Sequence, residues 1–173
     1  APYLCYAVED RPVRLVMLDT MQPGSHSGHC PAAVAGWLER TLAARPGVPT
    51  LLFMHHPPFV TGMGAMDEPF ENVGRLADIL RRSPWVRLCC GHMHRPIVTQ
   101  WAGCIALTSP AVAMQLDLDL SPEGGDTFRM ETPGYLLHHW DGSVLNSHIC
   151  QIPCSPTFSG PHPFVGSVNP VEG

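Results

Sequence analysis

The sequence predicts an α/β fold in which strands alternate with helices and then give way to antiparallel hairpins. Three features predict it. Two short apolar runs, Thr50-Leu51-Leu52-Phe53-Met54 and Trp85-Val86-Arg87-Leu88-Cys89-Cys90, have the length and flanking residues of buried strands. Stretches with apolar residues at helical spacing lie before each of them. Beyond residue 95, Ala102-Gly103 and Asp141-Gly142 sit between alternating runs as hairpin turns do.

In chain order, Val13 to Asp19 reads as the first strand, followed by a Gly/His/Ser loop from Pro23 to Cys30. Pro31 suits the first turn of a helix with Val34, Trp37, Leu38, Thr41 and Leu42 on one face. That helix stops near Arg45-Pro46-Gly47, because the residue before a proline disfavours helical backbone. After the strand to Met54 comes a loop through Gly62, Gly64 and Pro69. A helix from about Asn72, its N-cap, to Arg82 then buries Val73, Leu76, Ile79 and Leu80. Strand–helix–strand–helix–strand with short links implies parallel pairing. Pro96 to Trp101 with Cys104 to Thr108, and Gly134 to Trp140 with Ser143 to Gln151, read as two antiparallel hairpins. Residues 1–152 form one domain, with 109–133 as an acidic, Gly-containing lid or excursion, and 153–173 a Pro- and Gly-rich tail.

Composition narrows the function. A chain of 173 residues can bury a real core. With a net charge of −5, a pI near 6.0 and scattered Lys and Arg, it lacks the basic face that a nucleic-acid polymer or a membrane surface requires. No run approaches the ~18 apolar residues of a transmembrane helix. No signal peptide is visible, and seven cysteines without a metal-type Cys-x-x-Cys pair suit a reducing cytoplasm with free thiols. Cys89 and Cys90 read as core filler. Cys150 and Cys154 read as surface thiols rather than a disulfide.

The histidines carry the chemistry. Met54-His55-His56-Pro57-Pro58 and Gly91-His92-Met93-His94 each follow a buried strand directly. Imidazoles presented from the carboxyl ends of neighbouring parallel strands converge where open α/β sheets place their ligands. Neutral imidazole is the commonest metal ligand. In an extended segment His92 and His94 would project to one side, with Met93 turned into packing. Gly91 would let the backbone turn.

Together these two motifs resemble the last two signature motifs of the calcineurin-like metallophosphoesterases, in the bacterial branch of cyclic-nucleotide and glycerophosphodiester phosphodiesterases. The resemblance extends from about Val13 to Cys154. It takes in Leu18-Asp19-Thr20, Trp37-Leu38-Glu39, Met66-Asp67, Glu71-Asn72 and Pro110. It implies the C-terminal half of a four-layer α/β/β/α sandwich, with the antiparallel hairpins after Gly-His-Met-His. It also implies two divalent or mixed-valence metal ions (Fe, Mn, Zn or Co). His55 and His92 would ligate one ion and His94 the other, while His56 would act on the substrate phosphate or beside it. The implied activity is hydrolysis of a small phosphodiester by a metal-activated water. The family's Asp-x-His and Gly-Asn-His motifs do not occur in this sequence and no Gly-Asp stands upstream of the histidine motifs, so the chain by itself is expected to be inactive. The alternative is a non-catalytic, truncated or degenerate homologue that serves as an oligomerising module.

Other histidines rank lower. His26 and His29 with Cys30 have metal-like spacing but sit in a glycine-rich loop that opens a helix or rims a site. His138-His139 falls in a hairpin, where neighbours face opposite sides. His148 on the partner strand could face one of them. Leu116-Asp117-Leu118-Asp119-Leu120 lacks the Gly and Glu of a calcium loop.

The last hairpin has apolar residues on both faces, Leu136 and Leu137 on one strand and Val144, Leu145 and Ile149 on the other, so one face needs a cover. A homodimer or larger assembly is expected, with light scattering reporting at least twice the monomer mass of 18.9 kDa. A clean monomer at high concentration would refute it.

Overall fold

The computed structural model describes residues 3–121 and 127–153. The tail from residue 154 on, with Cys154, and the middle of the excursion lie outside the described residues. Three parallel strands form the centre: β2 (Arg14–Met17), β3 (Thr50–Met54) and β4 (Val86–Cys90) follow β1 (Tyr6–Val8). α1 (Ala32–Ala44) connects β2 to β3, and α2 (Val73–Arg81) connects β3 to β4. β5 (Ile97–Trp101) and β6 (Cys104–Thr108) complete a six-stranded sheet ordered β1-β2-β3-β4-β6-β5.

The faces of this sheet follow from strand parity. Val16, Leu52, Leu88, Cys90 and Ala106 point to one side. There they join Val34, Leu38 and Leu42 of α1 and Leu76, Ile79 and Leu80 of α2 in one buried cluster. The opposite side meets a second, two-stranded sheet, β9 (Gly134–Trp140) and β10 (Leu145–Gln151). Arg87 of β4 donates to Ser147 Oγ at 2.7 Å, and Phe53 of β3 lies edge-on to His138. A short ladder, β7 (Gln115–Leu116) with β8 (Phe128–Arg129), gives the excursion a spine. No helix among the described residues is long and apolar enough to cross a membrane. Arg14 is fully buried, held by Thr50 Oγ1 at 3.2 Å and the Thr41 carbonyl at 2.8 Å, and so ties β2 to β3 and α1.

Several local expectations change. β1, absent from the reading of the sequence, pairs antiparallel with β2 from Tyr6↔Met17 to Val8↔Leu15. The first hairpin does not stand apart as antiparallel structure, because β6 also pairs parallel with β4, from Arg87↔Ile105 to Cys90↔Thr108. This pairing occupies the edge of β4 that would otherwise leave its hydrogen-bonding groups open. Ala102 and Gly103 both have positive φ (48° and 80°), the backbone a two-residue primed turn demands. Asp141-Gly142 instead opens a longer loop, with Asp141 Oδ1 accepting from the Ser143 and Val144 amides and Leu145 opposite Trp140. Asn72 precedes α2 with left-handed backbone, and its side chain makes no capping bond.

Leu88 is completely buried between the two helices and the sheet. Leu88→Ala is expected to cost about 2–5 kcal/mol of unfolding free energy in urea melts. A loss under ~1 kcal/mol would mean that the cluster does not act as a single core.

Candidate metal centre

The register of β3 and β4 places the two histidine motifs side by side. Met54 is opposite Cys90 at the strand ends, and the Gly91 amide donates to the His55 carbonyl at 3.0 Å, extending the pairing by one step. The rings then gather. His55 and His56 have centroids 4.8 Å apart, and each lies 5.2 Å from His92. Their ligand atoms all fall within 4.8 Å of one another, the one such group of His, Cys, Asp and Glu among the described residues. A tetrahedral ion with bonds near 2.1 Å sets its ligands about 3.4 Å apart, so small ring rotations suffice to close the group on an ion.

The tetrapeptide after β4 is bent, not extended. His92 and His94 both have left-handed backbone, with φ of 67° and 49°. Non-glycine residues adopt that region rarely, and histidine is among the side chains that tolerate it. Positive φ thus falls on the histidines themselves. Gly91 serves a different need, since a Cβ there would lie 3.2 Å from His55 Nδ1. The bend separates the two histidines that an extended segment would have aligned. His92 joins His55 and His56, while His94 stands outside that group with its buried Nδ1 unpartnered. Met93 is fully buried, as its position between them implied.

The group is electrically suited to a cation. Burial, then the neighbouring His55 and His92, pushes the His56 imidazole down to about 4. Burial lowers His55, with His94 adding to it, and burial followed by His55 lowers His92. All three rings are therefore neutral at physiological pH, with nitrogen lone pairs available. Neutral imidazoles gathered in this way fit a divalent transition ion, for which imidazole is a favoured ligand.

Two contacts that no sequence spacing revealed hold His56. Thr20, only 2% exposed, lies with its Oγ1 2.9 Å from His56 Nδ1 across 36 residues of sequence. Gly28 packs against the base of the side chain, for a Cβ there would come within 2.5 Å of His56 Cβ and 2.6 Å of the Phe70 ring. A glycine in a Gly/Ser/His loop was the single available hint. Beside His56 and His92 opens a cavity of about 350 Å³, walled by Pro58, Phe59, Met66 and Phe70 and rimmed by His26 and Glu68.

Three carboxylates in the loops after β2 and β3 have other duties. Asp19 accepts from the Leu4 and Met21 amides. Asp67 ties its loop through the Thr61 amide and hydroxyl and the Gly62 amide. Glu68 accepts from Ser27 Oγ at 3.3 Å at the cavity rim. His26 takes the rim position that its loop suggested, while Cys30 is fully buried away from any ligand role. His138 faces Ser147 at 2.7 Å, and the register sets His148 opposite Leu137, on the face that also carries His139 two residues along and away from His138. Burial pushes the Cys89 thiol under His138 up to about 12, which keeps it protonated and inert.

No protein-family model matches the chain. Several curated bacterial proteins do. A probable glycerophosphodiester phosphodiesterase, GpdQ, of Arcobacter nitrofigilis is 37% identical over 166 residues, covering 94% of this chain and 60% of the relative. The glycerophosphodiester phosphodiesterase GpdQ of Enterobacter lignolyticus is 34% identical over 148 residues, 83% of this chain and 52% of the relative. The 3′,5′-cyclic adenosine monophosphate phosphodiesterase CpdA of Escherichia coli K12 is 33% identical over 135 residues, 76% of this chain and 48% of the relative. The chain thus spans between about half and 60% of the length of these relatives. It belongs to the bacterial metallophosphoesterase branch that holds these glycerophosphodiester and cyclic nucleotide phosphodiesterases.

Proposed function

We propose that this chain carries the histidine half of a metal-dependent phosphodiesterase site acting on a small phosphodiester of the glycerophosphodiester or cyclic nucleotide type. The observation that carries the reading is the group of neutral imidazoles, His55, His56 and His92, at the carboxyl ends of two adjacent parallel strands. The activities for which the relatives are named point the same way. His55 and His92 hold one ion. His94, with its unpartnered buried nitrogen, holds a second. Bound divalent ions supply Lewis-acid charge and a water acidic enough to react at neutral pH. His56 contacts the phosphate as it gains charge, and the adjoining cavity receives the alcohol portion of the substrate. Among the described residues no carboxylate joins the imidazoles, so the ions' remaining ligands come from outside this set.

Metal binding tests the site directly. The chelator-stripped chain should bind zinc, and His55→Ala or His92→Ala should weaken binding about tenfold or more in a competition titration. His56→Ala should leave affinity nearly intact. Absence of any zinc binding by the unaltered chain would sink the proposal, and metal loss confined to His56→Ala would show that the adjacent histidines have exchanged roles.

With no bridging carboxylate in the group, the chain alone should hydrolyse bis-(p-nitrophenyl) phosphate no faster than a manganese-containing blank. Turnover abolished by chelator and restored by metal would mean that the missing ligands lie within this chain. In a longer form that supplies them, His92→Ala and His94→Ala should each lower turnover by orders of magnitude.

A further inference from the structure

We infer that Thr20 is a positioning residue that locks His56 as its Nε2–H tautomer, making His56 a hydrogen-bond donor to an anion in the adjoining cavity rather than a third metal ligand. The inference deepens the phosphodiesterase reading and rests on it for the identity of the anion, a phosphate oxygen.

The argument starts from the hydroxyl. Thr20 is only 2% exposed, so water cannot serve its proton. A buried hydroxyl that leaves its proton without an acceptor forfeits about 1–3 kcal/mol. Among the described residues, the one acceptor within reach of Thr20 Oγ1 is His56 Nδ1, at 2.9 Å. The reverse arrangement, with Nδ1–H donating to Oγ1, would satisfy the ring and strand the hydroxyl. The favoured arrangement is Thr20 O–H donating to Nδ1. A neutral imidazole carries one proton, so once Nδ1 accepts, Nε2 carries the hydrogen.

Three consequences follow. An Nε2–H has no lone pair to give to a cation, and Nδ1 is already engaged, so His56 is removed from coordination although its ring belongs to the three-imidazole group. The same Nε2–H is a ready donor to a phosphoryl oxygen. His56 and His92 both line the 350 Å³ cavity, which sets this donor beside the ion-holding histidine. Finally, the Thr20 bond orients the ring, and His56 is closely packed at its base. Gly28 lies so close that a methyl group on residue 28 would come within 2.5 Å of the His56 Cβ and 2.6 Å of the Phe70 ring. Ring orientation and tautomer are thus set before any ligand arrives, the condition under which a donor stabilises developing charge at no reorganisation cost.

Long-range proton–nitrogen NMR of the chelator-treated chain, near neutral pH, reads the tautomer directly and needs neither metal nor turnover. His56 should appear as a single Nε2–H species. Thr20→Val, which keeps the shape and removes the hydroxyl, should give a mixture of the two tautomers, and Thr20→Ser should restore the single form. Zinc added to the unaltered chain should move the His55 and His92 nitrogen signals while His56 keeps its Nε2 proton. An Nδ1–H tautomer in the unaltered chain, an unchanged tautomer in Thr20→Val, or metallation of His56 Nε2 by zinc would each overturn the inference. Because the tautomer is read without activity, a parent that proved not to be a phosphodiesterase would leave this result standing. Failure of the tautomer prediction would likewise leave the metal-binding test of His55 and His92 untouched.

Discussion

The site depends on the parallel register of β3 against β4. Met54 opposite Cys90 is the last ladder pair, and the bond from the Gly91 amide to the His55 carbonyl carries the pairing one residue further. Because side chains alternate along a strand, sliding either strand by one position would turn Leu52 and Leu88 away from the helices and send His55 to the other face. The register is enforced by the core itself. Leu52, Leu88 and Cys90 must all reach the cluster that α1 and α2 close. The energy that fixes the candidate centre is therefore apolar burial in the sheet, spent well away from the histidines.

Once the strand ends are fixed, the remaining precision is local and polar. Strained backbone at His92 and His94 aims two imidazoles in different directions, and conformations of this kind cluster at functional sites because the surrounding fold over-determines them. Thr20, from the end of β2, and Gly28, from the loop before α1, reach across the sheet edge to His56. The site is thus assembled from three successive strand ends, β2, β3 and β4. None of these contacts is close in sequence, which makes the centre a reporter of the whole sheet's integrity.

The hairpin layer relates to this centre differently. β9 and β10 cover Phe53, Arg87 and Cys89 on the sheet face away from the helices, through His138 and Ser147. Its outer face remains apolar in part, with Tyr135 and Leu137 exposed. The histidines of this layer serve packing and hydrogen bonding, and the buried Cys89 thiol offers no nucleophile. The two groups of imidazoles differ in setting: His56 and His92 at the strand ends line the cavity, whereas His138 in the hairpin meets Ser147 and Cys89.

The sequence by itself determined the alternation of strands and helices, the parallel centre, both hairpins and the placing of two histidine motifs directly after buried strands. These are local or periodic properties, written in the spacing of Val34, Leu38 and Leu42, in the apolar runs before His55 and Gly91, and in Ala102-Gly103. Three things were decided only by tertiary structure. β1 and the insertion of β6 beside β4 depend on which sheet edges remain open, a global property with no local signature. The gathering of His92 with His55 and His56, and the placing of His94 outside that group, depend on backbone dihedrals that an extended reading of Gly-His-Met-His could not supply. The partnership of Thr20 with His56 joins residues 36 positions apart, and nothing in a hydroxyl side chain announces its acceptor until the chain has folded around both.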